Sequence, residues 1–414
     1  MRHLVIVSRS DFRAPAGAAF SRLMNYARAV RGEPGLRVHL LSTRELRGPD
    51  PSRPWELEEG ILAYPALPRE WAGWWSALLA RLSARPAKRR LIASLADFAA
   101  GLPDQVCVLI FPNMHDFFLE RGLLRACRAR GLRAVLEKNE LELGLALHPR
   151  ALELRRLFDC LRHWLATPLA LWRAWRHDRL VAEADAVIAI STRLERWSRR
   201  WNSQVLRVPI LMDEVPPGAP AGAEPGFHIG FTGHVSQRKE GLITFLEALR
   251  DCLDARPDAV LDILGKDRDA DARRVKRAVR RLGLESAVRF HGAVPLAQVP
   301  AWLARRHLLI LPRPDTLQNR YGFSTKLAGY LAAGVPVLAT EVGDTSHYLQ
   351  DGVNGFLVPP GDRRELARRL RALLAGGEEL TRAGLEGQRL ACEHFHPSRY
   401  GPTLRGILFP TPRP

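Results

Sequence analysis

The sequence predicts an α/β protein made of two doubly wound domains that face a cleft. One observation is that short aliphatic runs alternate with longer segments of helical periodicity in both halves of the 414-residue chain. The other is a stretch rich in proline, glycine and alanine, residues 215–226, which has the composition of a linker. A chain of this length can form two hydrophobic cores, so we assign residues 1–214 and 227–392 to the two domains.

The first domain begins with a Rossmann-like arrangement of strand, loop, helix and strand. Residues 3–8 form an apolar run, a loop containing Gly17 follows, and residues 38–42 form the second run. The segment lacks both G-x-G-x-x-G and an acidic residue after the second strand, which disfavours a nicotinamide-dependent oxidoreductase. Further strands are predicted at residues 106–111, 134–137 and 186–190.

The second domain repeats this alternation. Its first strand, residues 228–233, leads into a polar loop over residues 234–241 and a helix over residues 242–252. Because ligands of such folds bind at the carboxyl ends of the strands, the loops that follow the strands are candidate sites. Further strands are predicted at residues 260–265, 288–292, 308–312 and 335–339.

The composition limits the class of partner. A net charge of +18 indicates an acidic partner, such as nucleic acid, an anionic membrane or a phosphorylated ligand. No nucleic-acid-binding motif accompanies the basic residues, so we expect no nucleic-acid partner. Five scattered cysteines without a CxxC pair fit a reducing cytosol and disfavour a disulfide framework or a zinc site. No run of about 18 apolar residues occurs, so we expect neither a transmembrane helix nor a signal peptide.

A loop rich in glycine and hydroxyl residues precedes a helix predicted over residues 326–333. Unpaired backbone N–H groups at the start of a helix suit a phosphate group. A cation there opposes the helix dipole, so Lys326 is better explained by a bound pyrophosphate than by helix stability. Lysine is also rare in this chain, because only six of the 62 basic residues are lysines. Ser324 and Thr325 could bind the same phosphate, although N-capping of the helix is sufficient to explain them.

The same stretch, residues 321–340, resembles the signature of the GT-B glycosyltransferases of the family-4 type, the glycosyl transferases group 1. The resemblance implies the GT-B architecture, in which the tail, here residues 393–414, is expected to cross back to the first domain. Four further segments resemble the family and follow in its order: residues 233–241, 261–265, 288–292 and 351–362.

The resemblance implies that the second domain binds a nucleotide-diphosphate sugar as co-substrate. Arg238 and Lys239 are expected at the diphosphate with Lys326, and their alternative role is that of solvated loop charges. No metal and no further cofactor are expected, because GT-B enzymes usually neutralise the leaving diphosphate with cationic side chains. The aspartates of residues 267–271 are therefore expected to open a helix. The expected donor-binding residues are Gly17, Gly233, Arg238, Lys239, Gly265, Tyr321, Gly322, Phe323, Ser324, Thr325 and Lys326.

One departure from the family concerns a pair of glutamates that flank this loop. In the family the first faces the donor sugar, and the second accepts hydrogen bonds from both ribose hydroxyls. Tyr321 and Gly329 occupy the matching positions here. A glycine inside a helix costs about 1 kcal/mol, so we expect a close-packed neighbour to require the space at Gly329. The departure leaves the donor and the activity itself open.

Candidate residues for the reacting centre follow strands of the first domain. The family places a sugar-contacting group, often histidine, after the strand that corresponds to residues 134–137. Glu140 is our first candidate for contacting the transferred sugar or the acceptor hydroxyl, and its alternative is an ordinary loop carboxylate. His115 and Asp116, which follow another predicted strand, are the second candidates.

Two basic segments of the first domain contain tryptophans. Trp71, Trp74 and Trp75 lie in one of them, and the other, residues 152–180, includes Trp172 and Trp175. A helix with aromatic residues and a basic rim is typical of a membrane surface, and its alternative is a helix that packs on the core. The recurrence of the pattern favours a protein of the cytoplasm that binds the inner face of the membrane.

The sequence thus predicts a retaining glycosyltransferase that moves a sugar from a nucleotide-diphosphate donor to an acceptor hydroxyl. A glycan or lipid-linked acceptor is expected, in the biosynthesis of cell-surface polysaccharide or glycolipid. The alternatives are a nucleotide-sugar epimerase or hydrolase on the same fold, and a non-catalytic GT-B-like binding protein. The donor base, the sugar, the acceptor and the linkage do not follow from the sequence.

Overall fold

The structure is a computed structural model that describes most of the chain in two units. Unit 1 comprises Met1–Pro209 and Pro397–Pro414, and unit 2 comprises Ile210–His396. In residues 18, 76–87 and 157–167 only the backbone is described. The described residues are 1–10, 12, 18–43, 54–64, 76–111, 116–143, 157–212 and 226–411.

Unit 1 is organised around an eight-stranded sheet in the order β3-β4-β2-β1-β5-β6-β7-β8. The pairs are parallel except for β3 with β4. The interior strands are largely buried because helices cover both faces of a parallel sheet. The strands are β1 (Arg2–Ser8), β2 (Leu36–Ser42), β3 (Trp55–Glu58), β4 (Ile61–Tyr64), β5 (Gln105–Ile110), β6 (Arg133–Lys138), β7 (Ala186–Ala189) and β8 (Val205–Arg207).

The helices of unit 1 connect these parallel strands. Asp116 begins α3 as an N-cap, and Ser191 does the same for α5. Pro168 lies inside α4 and does not end this helix. The described helices are α1 (Ala18–Arg31), α2 (Ser76–Ala100), α3 (Phe117–Ala129), α4 (Leu157–Asp178) and α5 (Thr192–Ser198).

Unit 2 contains a six-stranded parallel sheet in the order β11-β10-β9-β12-β13-β14. The chain starts at the central strand β9 and winds outward in both directions, which makes the sheet doubly wound. Its core includes the fully buried Phe231, Phe245 and Phe356. The strands are β9 (Phe227–Thr232), β10 (Ala259–Leu264), β11 (Val288–Gly292), β12 (Leu308–Leu311), β13 (Val337–Thr340) and β14 (Phe356–Val358).

The helices of unit 2 follow the strands in alternation. The longest, α14, is also the last element of this unit. The described helices are α6 (Gln237–Glu240), α7 (Leu242–Arg250), α8 (Ala270–Arg281), α9 (Val299–Leu303), α10 (Leu317–Tyr321), α11 (Leu327–Ala332), α12 (Thr345–Tyr348), α13 (Arg363–Leu374) and α14 (Glu378–His394).

After unit 2 the chain returns to unit 1 through α15 (Gly401–Leu408). Gly401 lies so close to α1 that a Cβ atom there would be 2.5 Å from the carbonyl oxygen of Ala29. Arg133 of β6 donates two hydrogen bonds to the carbonyl oxygen of Ile407, at 2.9 and 3.1 Å. These contacts fix the last helix within unit 1.

The predicted α/β class with two doubly wound sheets is confirmed. Each strand predicted from an apolar run is observed, and its first and last residues differ from the predicted ones by at most two positions. The strands β3, β4, β8 and β14 were not predicted from the sequence. Within the described ranges, no helix has the length and apolar character needed to cross a bilayer.

Candidate functional site

The loops that follow β9, β10 and β12 meet helix α11 at the carboxyl edge of the sheet in unit 2. Gly233 is the first residue after β9, and its N–H donates to the carbonyl oxygen of Leu264 at 2.8 Å. The hydroxyl of Tyr330 in α11 accepts a hydrogen bond from the N–H of Thr232 at 2.7 Å. These bonds connect three segments that are far apart in the sequence.

Two glycines allow this close approach. A Cβ atom at Gly265 would be 1.8 Å from the carbonyl oxygen of Gly233. A Cβ atom at Gly233, where φ is +113°, would be 2.7 Å from Cε of Lys326. Because only glycine fits at such distances, the two residues bring the backbone into contact with the Lys326 side chain.

Lys326 lies immediately before α11, and its side chain is only 11% exposed. Its Nζ is 2.7 Å from Oε1 of Glu240 and 5.3 Å from the centre of the Phe231 ring. Burial lowers the pKa of this amine, and the neighbouring Glu240 carboxylate opposes that effect. The helix predicted over residues 326–333 is observed in a slightly shorter form, as α11.

Glu240 is the acidic partner in this ion pair and is 2% exposed. Burial alone would raise the pKa of its carboxyl group, but the Lys326 ammonium and the Arg313 guanidinium lower it overall. Nε of Arg313 is 3.8 Å from Oε2 of Glu240. The carboxylate is thus held in its ionised form between two cations.

The loop between β9 and α7 is fixed by short local contacts. Ser236 caps α6 by accepting from the N–H of Lys239 at 3.1 Å. The side-chain amide of Asn319 donates to the carbonyl oxygens of Lys239 at 3.0 Å and Pro314 at 2.9 Å. At Gly241, where φ is +71°, a Cβ atom would be 1.8 Å from the carbonyl oxygen of Pro312. The position of Lys239 is therefore set by the backbone on both sides of it.

Carboxylates at the start of α8 pair with the same loop. Asp269 caps α8 through the N–H of Ala272 and lies 2.5 Å from Nε2 of His234. Asp271 is 3.7 Å from Nε of Arg238. The expectation that these aspartates open a helix is confirmed. Sequence reasoning missed their second role, which is to position the basic residues of the loop.

The first acidic residue of this series, Asp267, is 2.5 Å from Nζ of Lys276. In the part of the chain that the structure describes, no three His, Cys, Asp or Glu side chains form a group that could bind a metal ion.

The residues just before Lys326 differ in how they face the site. The hydroxyl of Ser324 accepts from the N–H of Lys326 at 3.4 Å, while Thr325 is half-buried. Phe323 is buried, and its ring packs on Tyr348 and Phe395, with centroids 5.6 and 5.8 Å away. The Phe323 side chain is thus part of the core, and only its backbone is available to a ligand.

Tyr321 and Gly322, which end α10, and Gly329 in α11 are half-buried. Among the described residues outside its own helix, no atom would lie within 4 Å of a Cβ atom at Gly329. The expectation that a close-packed neighbour requires the space at Gly329 is therefore wrong. The missing glutamate leaves open space beside α11.

The candidates of unit 1 lie at the ends of β5 and β6. Glu140 is half-buried, two residues beyond β6. The preceding Lys138 is buried and forms an ion pair of 2.6 Å with Asp178. Asp116 caps α3 and lies 2.5 Å from Nζ of Lys88, so both of its oxygens have structural partners. His115 and Gly17 lie outside the described residues.

An exposed aromatic and basic surface covers the end of α4 in unit 1. Trp172 is 49% exposed and Trp175 is 46% exposed. The guanidinium of Arg176 lies 4.7 Å from the Trp172 ring, and that of Arg179 lies 4.8 Å from Trp175 and 4.1 Å from Trp201. Such distances are those of cation–π contacts. The side chains of Trp71, Trp74 and Trp75 lie outside the described residues.

Two α/β units with doubly wound parallel sheets define the GT-B fold, and solved structures support this assignment. The sucrose-phosphate synthase of Thermosynechococcus elongatus is similar, with a TM-score of 0.72 and 16% identity over 98% of this chain and 99% of that one. Anabaena HepE in complex with UDP is also similar, with a TM-score of 0.65 and 18% identity over 99% of each chain.

Residues 226–376 match the family described as "Glycosyl transferases group 1". The matched segment lies within unit 2, and the resemblance inferred from the sequence is confirmed.

Curated relatives are similar to this chain over part of its length. A phosphatidyl-myo-inositol mannosyltransferase of Mycobacterium leprae is 28% identical over 52% of this chain and 56% of its own length. A lipopolysaccharide core biosynthesis mannosyltransferase of Rhizobium meliloti is 25% identical over 75% of this chain and 87% of its own. A D-inositol 3-phosphate glycosyltransferase of Arthrobacter is 30% identical over 38% and 35%, respectively. The match thus spans about half of the length of the Mycobacterium leprae relative and about a third of that of the Arthrobacter relative.

Proposed function

We propose that the protein is a glycosyltransferase that moves a sugar from a nucleotide-diphosphate donor to an acceptor hydroxyl. The observation that carries the proposal is the position of Lys326. A buried ammonium lies at a loop–helix junction on the carboxyl edge of a parallel sheet, inside the segment that matches the glycosyltransferase family. This edge is where α/β folds bind their ligands. Arg238 and Lys239 lie on the neighbouring loop and add positive charge.

The chemistry of the reaction explains why cations are needed there. As the bond between the sugar C1 and the phosphate oxygen breaks, negative charge develops on the diphosphate leaving group. Lys326, Arg238, Lys239 and the backbone N–H groups of residues 323–326 would stabilise that charge. Because the loop is fixed by Ser236 and Asn319, these groups need little rearrangement during the reaction. The proposal includes transfer without a metal ion.

We further propose retention of the anomeric configuration, with attack from the same face as the leaving group. This part depends on the family resemblance. Glu140 remains the first candidate of unit 1 for contacting the sugar or the acceptor, with His115 and Asp116 as the second. The bonds that Asp116 makes with α3 and Lys88 weaken its case, since both of its oxygens are already engaged.

The donor and acceptor classes are suggested by relatives. Structures of Anabaena HepE contain UDP and UDP-glucose, so a uridine-based donor is the first to test. Relatives named as phosphatidyl-myo-inositol and lipopolysaccharide core mannosyltransferases suggest a lipid-linked or envelope glycan as acceptor. The exposed tryptophan and arginine surface at the end of α4 supports action at the cytoplasmic face of a membrane.

The test is calorimetric binding of UDP, GDP, ADP, TDP and CMP to the wild type and to Lys326→Ala. We expect one nucleotide diphosphate to bind, and its affinity to fall by at least about tenfold in the variant, because a charged contact is lost. Lys276→Ala is the matched control, since Lys276 also pairs with an aspartate of unit 2 but lies on α8. Equal losses in both variants, or no binding by the wild type, would contradict the proposal.

A second candidate is a binding protein with the GT-B fold that does not catalyse transfer. Tyr321 and Gly329, at the positions of the family's two glutamates, favour it, because neither offers a carboxylate to the donor. Incubation with the nucleotide sugar that binds, with and without candidate acceptors, distinguishes the alternatives. A transferase forms a glycoside only with acceptor, an epimerase or hydrolase changes the donor without one, and a binding protein leaves it intact.

A further inference from the structure

Glu240 forms a buried ion pair with Lys326 at the candidate diphosphate site. We propose that Glu240 is a positioning residue of the diphosphate site: it fixes the ammonium of Lys326 in one place and supplies its counter-charge. The inference rests on the proposed function for the identity of the ligand, but the pairing itself does not depend on it.

Glu240 is held rigidly by the loop around it. Glu240 is the last residue of α6, and Gly241 turns the chain immediately afterwards against the carbonyl oxygen of Pro312. Ser236 caps the start of α6, and Asn319 binds the carbonyl oxygen of Lys239. With its backbone fixed at both ends and its carboxylate 2% exposed, Glu240 has little freedom to move away from Lys326.

Charges of both signs surround the Lys326 ammonium. Arg313 and Lys239 are cations near it, and the Phe231 ring lies against it. Burial and the two neighbouring cations disfavour the charged amine, whereas Glu240 favours it. Removal of the carboxylate would therefore lower the pKa of Lys326 further, so the amine would lose its proton at a lower pH.

The ion pair with Glu240 leaves N–H donors of Lys326 for a ligand. An ammonium group has three N–H donors, and the contact with Oε1 of Glu240 uses one of them. Lys326 can therefore hold Glu240 and a phosphate oxygen at the same time. Glu240 thus acts on the ligand through Lys326, without contacting the ligand itself.

A purely structural ion pair would have the same distances, so the test must measure the charge of Lys326 directly. Lysine labelled with ¹³C at the ε position gives one NMR signal for each of the six lysines. The signal of Lys326 is assigned by its disappearance in Lys326→Arg. The titration is followed from about pH 7 to about pH 11, around the usual lysine pKa, in the wild type and in Glu240→Gln.

We expect the titration midpoint of Lys326 to fall by about one pH unit or more in Glu240→Gln, the usual effect of losing an adjacent opposite charge. Glu247→Gln is the control, because Glu247 lies on α7 and pairs with Arg281 at 3.5 Å. An unchanged midpoint in Glu240→Gln overturns the inference. If that variant does not fold, Glu240→Asp decides, with a smaller shift in the same direction expected and no shift overturning the inference.

The second arm measures the affinity for UDP, or for whichever nucleotide diphosphate binds, across the same pH range. We expect the affinity of Glu240→Gln to decline at a lower pH than that of the wild type, because the ligand binds the charged amine. If the wild type binds the nucleotide and its pH profile coincides with that of Glu240→Gln, the positioning role of Glu240 is overturned. If the wild type binds no nucleotide diphosphate, the proposed function fails, while the NMR titration still decides whether Glu240 controls Lys326.

Discussion

A side chain at Gly265 would collide with the carbonyl oxygen of Gly233, since a Cβ atom there would lie only 1.8 Å from it. The contact joins the loops after β9 and β10, and Gly233 in turn lies against Lys326. The geometry of the candidate site therefore depends on two glycines from different strands.

Gly265→Ala is expected to lower the free energy of unfolding by at least about 2 kcal/mol, because the backbone must move to relieve the collision. The same movement shifts Gly233 away from Lys326, so nucleotide affinity is expected to fall as well. Urea denaturation and calorimetry measure the two effects. Gly283→Ala is the matched control, because φ is +67° at Gly283 and a Cβ atom there meets nothing within 4 Å. A Gly265→Ala protein as stable as this control would contradict the prediction.

Gly329→Glu is expected to be tolerated, because the space beside this residue of α11 is open. Replacing glycine inside a helix stabilises it by up to about 1 kcal/mol. The resemblance to the family further predicts that the new carboxylate accepts hydrogen bonds from the ribose hydroxyls. The affinity for the nucleotide diphosphate is then expected to rise by about tenfold, and less for a 2′-deoxy analogue.

Gly329→Ala separates the two effects, since it gives the helix its stability without an acceptor. Thermal denaturation and calorimetry of both variants provide the measurements. Loss of stability in Gly329→Ala would show that the site is more crowded than its geometry indicates. Equal affinities of the alanine and glutamate variants would show that the ribose does not lie beside α11.

The sequence predicted most of the fold and part of the candidate site. Apolar runs located the sheet strands, because burial on both faces leaves a strong pattern in parallel strands. Lys326 was predicted as a phosphate ligand because a cation at the start of a helix is unusual, whereas Arg238 and Lys239 were expected there from the resemblance to the family. The partner of Lys326 could not be predicted, since Glu240 is 86 residues away and only the folded sheet brings them together. Its one signal in the sequence was a carboxylate directly after Arg238 and Lys239.

The open space at Gly329 was also beyond prediction. A helical glycine suggests a crowded contact, and the sequence contains no measure of the room beside a helix. The same limit applies to Asp116, whose place after a strand indicated chemistry but whose side chain caps α3. Residue type and order therefore locate the loops of a site, while tertiary packing decides which of their side chains are engaged elsewhere.

Glu137 of β6 is expected to give unit 1 a pH-dependent stability. Its carboxyl group is fully buried, 2.7 Å from Nε of Arg22. Burial raises the pKa of Glu137 to about 7, although Arg22 opposes the shift. The folded state therefore holds a proton that the unfolded state releases at lower pH. The contribution of Glu137 to the free energy of unfolding is greatest below the pKa that its carboxyl group has in the unfolded state. This contribution is lost as the pH rises towards about 7.

The measurement is the free energy of unfolding in urea at a series of pH values, from the glutamate pKa of the unfolded state to about pH 7. The stability of the wild type is expected to decline with rising pH, and Glu137→Gln is expected to remove that part of the slope. Glu195→Gln is the control, because Glu195 pairs with the half-exposed Arg199. A slope that is identical in the wild type and Glu137→Gln would show that Glu137 ionises in the folded state as readily as in the unfolded one.

The tryptophan surface at the end of α4 is expected to bind anionic membranes. Trp172 and Trp175 offer rings that can enter the interface, and Arg176 and Arg179 lie against those rings, where they can meet lipid phosphates. In flotation assays the protein is expected to bind vesicles that contain anionic lipid more strongly than neutral vesicles. The double variant Trp172→Ala/Trp175→Ala is expected to weaken this binding by at least about tenfold, from the apolar surface that no longer inserts.

Leu385→Ala, which removes an exposed apolar side chain of unit 2, is the control and is expected to bind as the wild type does. The salt dependence separates the two contributions, because added salt screens the arginines but leaves the insertion of the rings intact. Binding that disappears at high salt, and that the tryptophan variant retains at low salt, would assign the attraction to the net charge of +18 alone. Failure of the wild type to float with anionic vesicles would exclude the membrane as the partner of this surface.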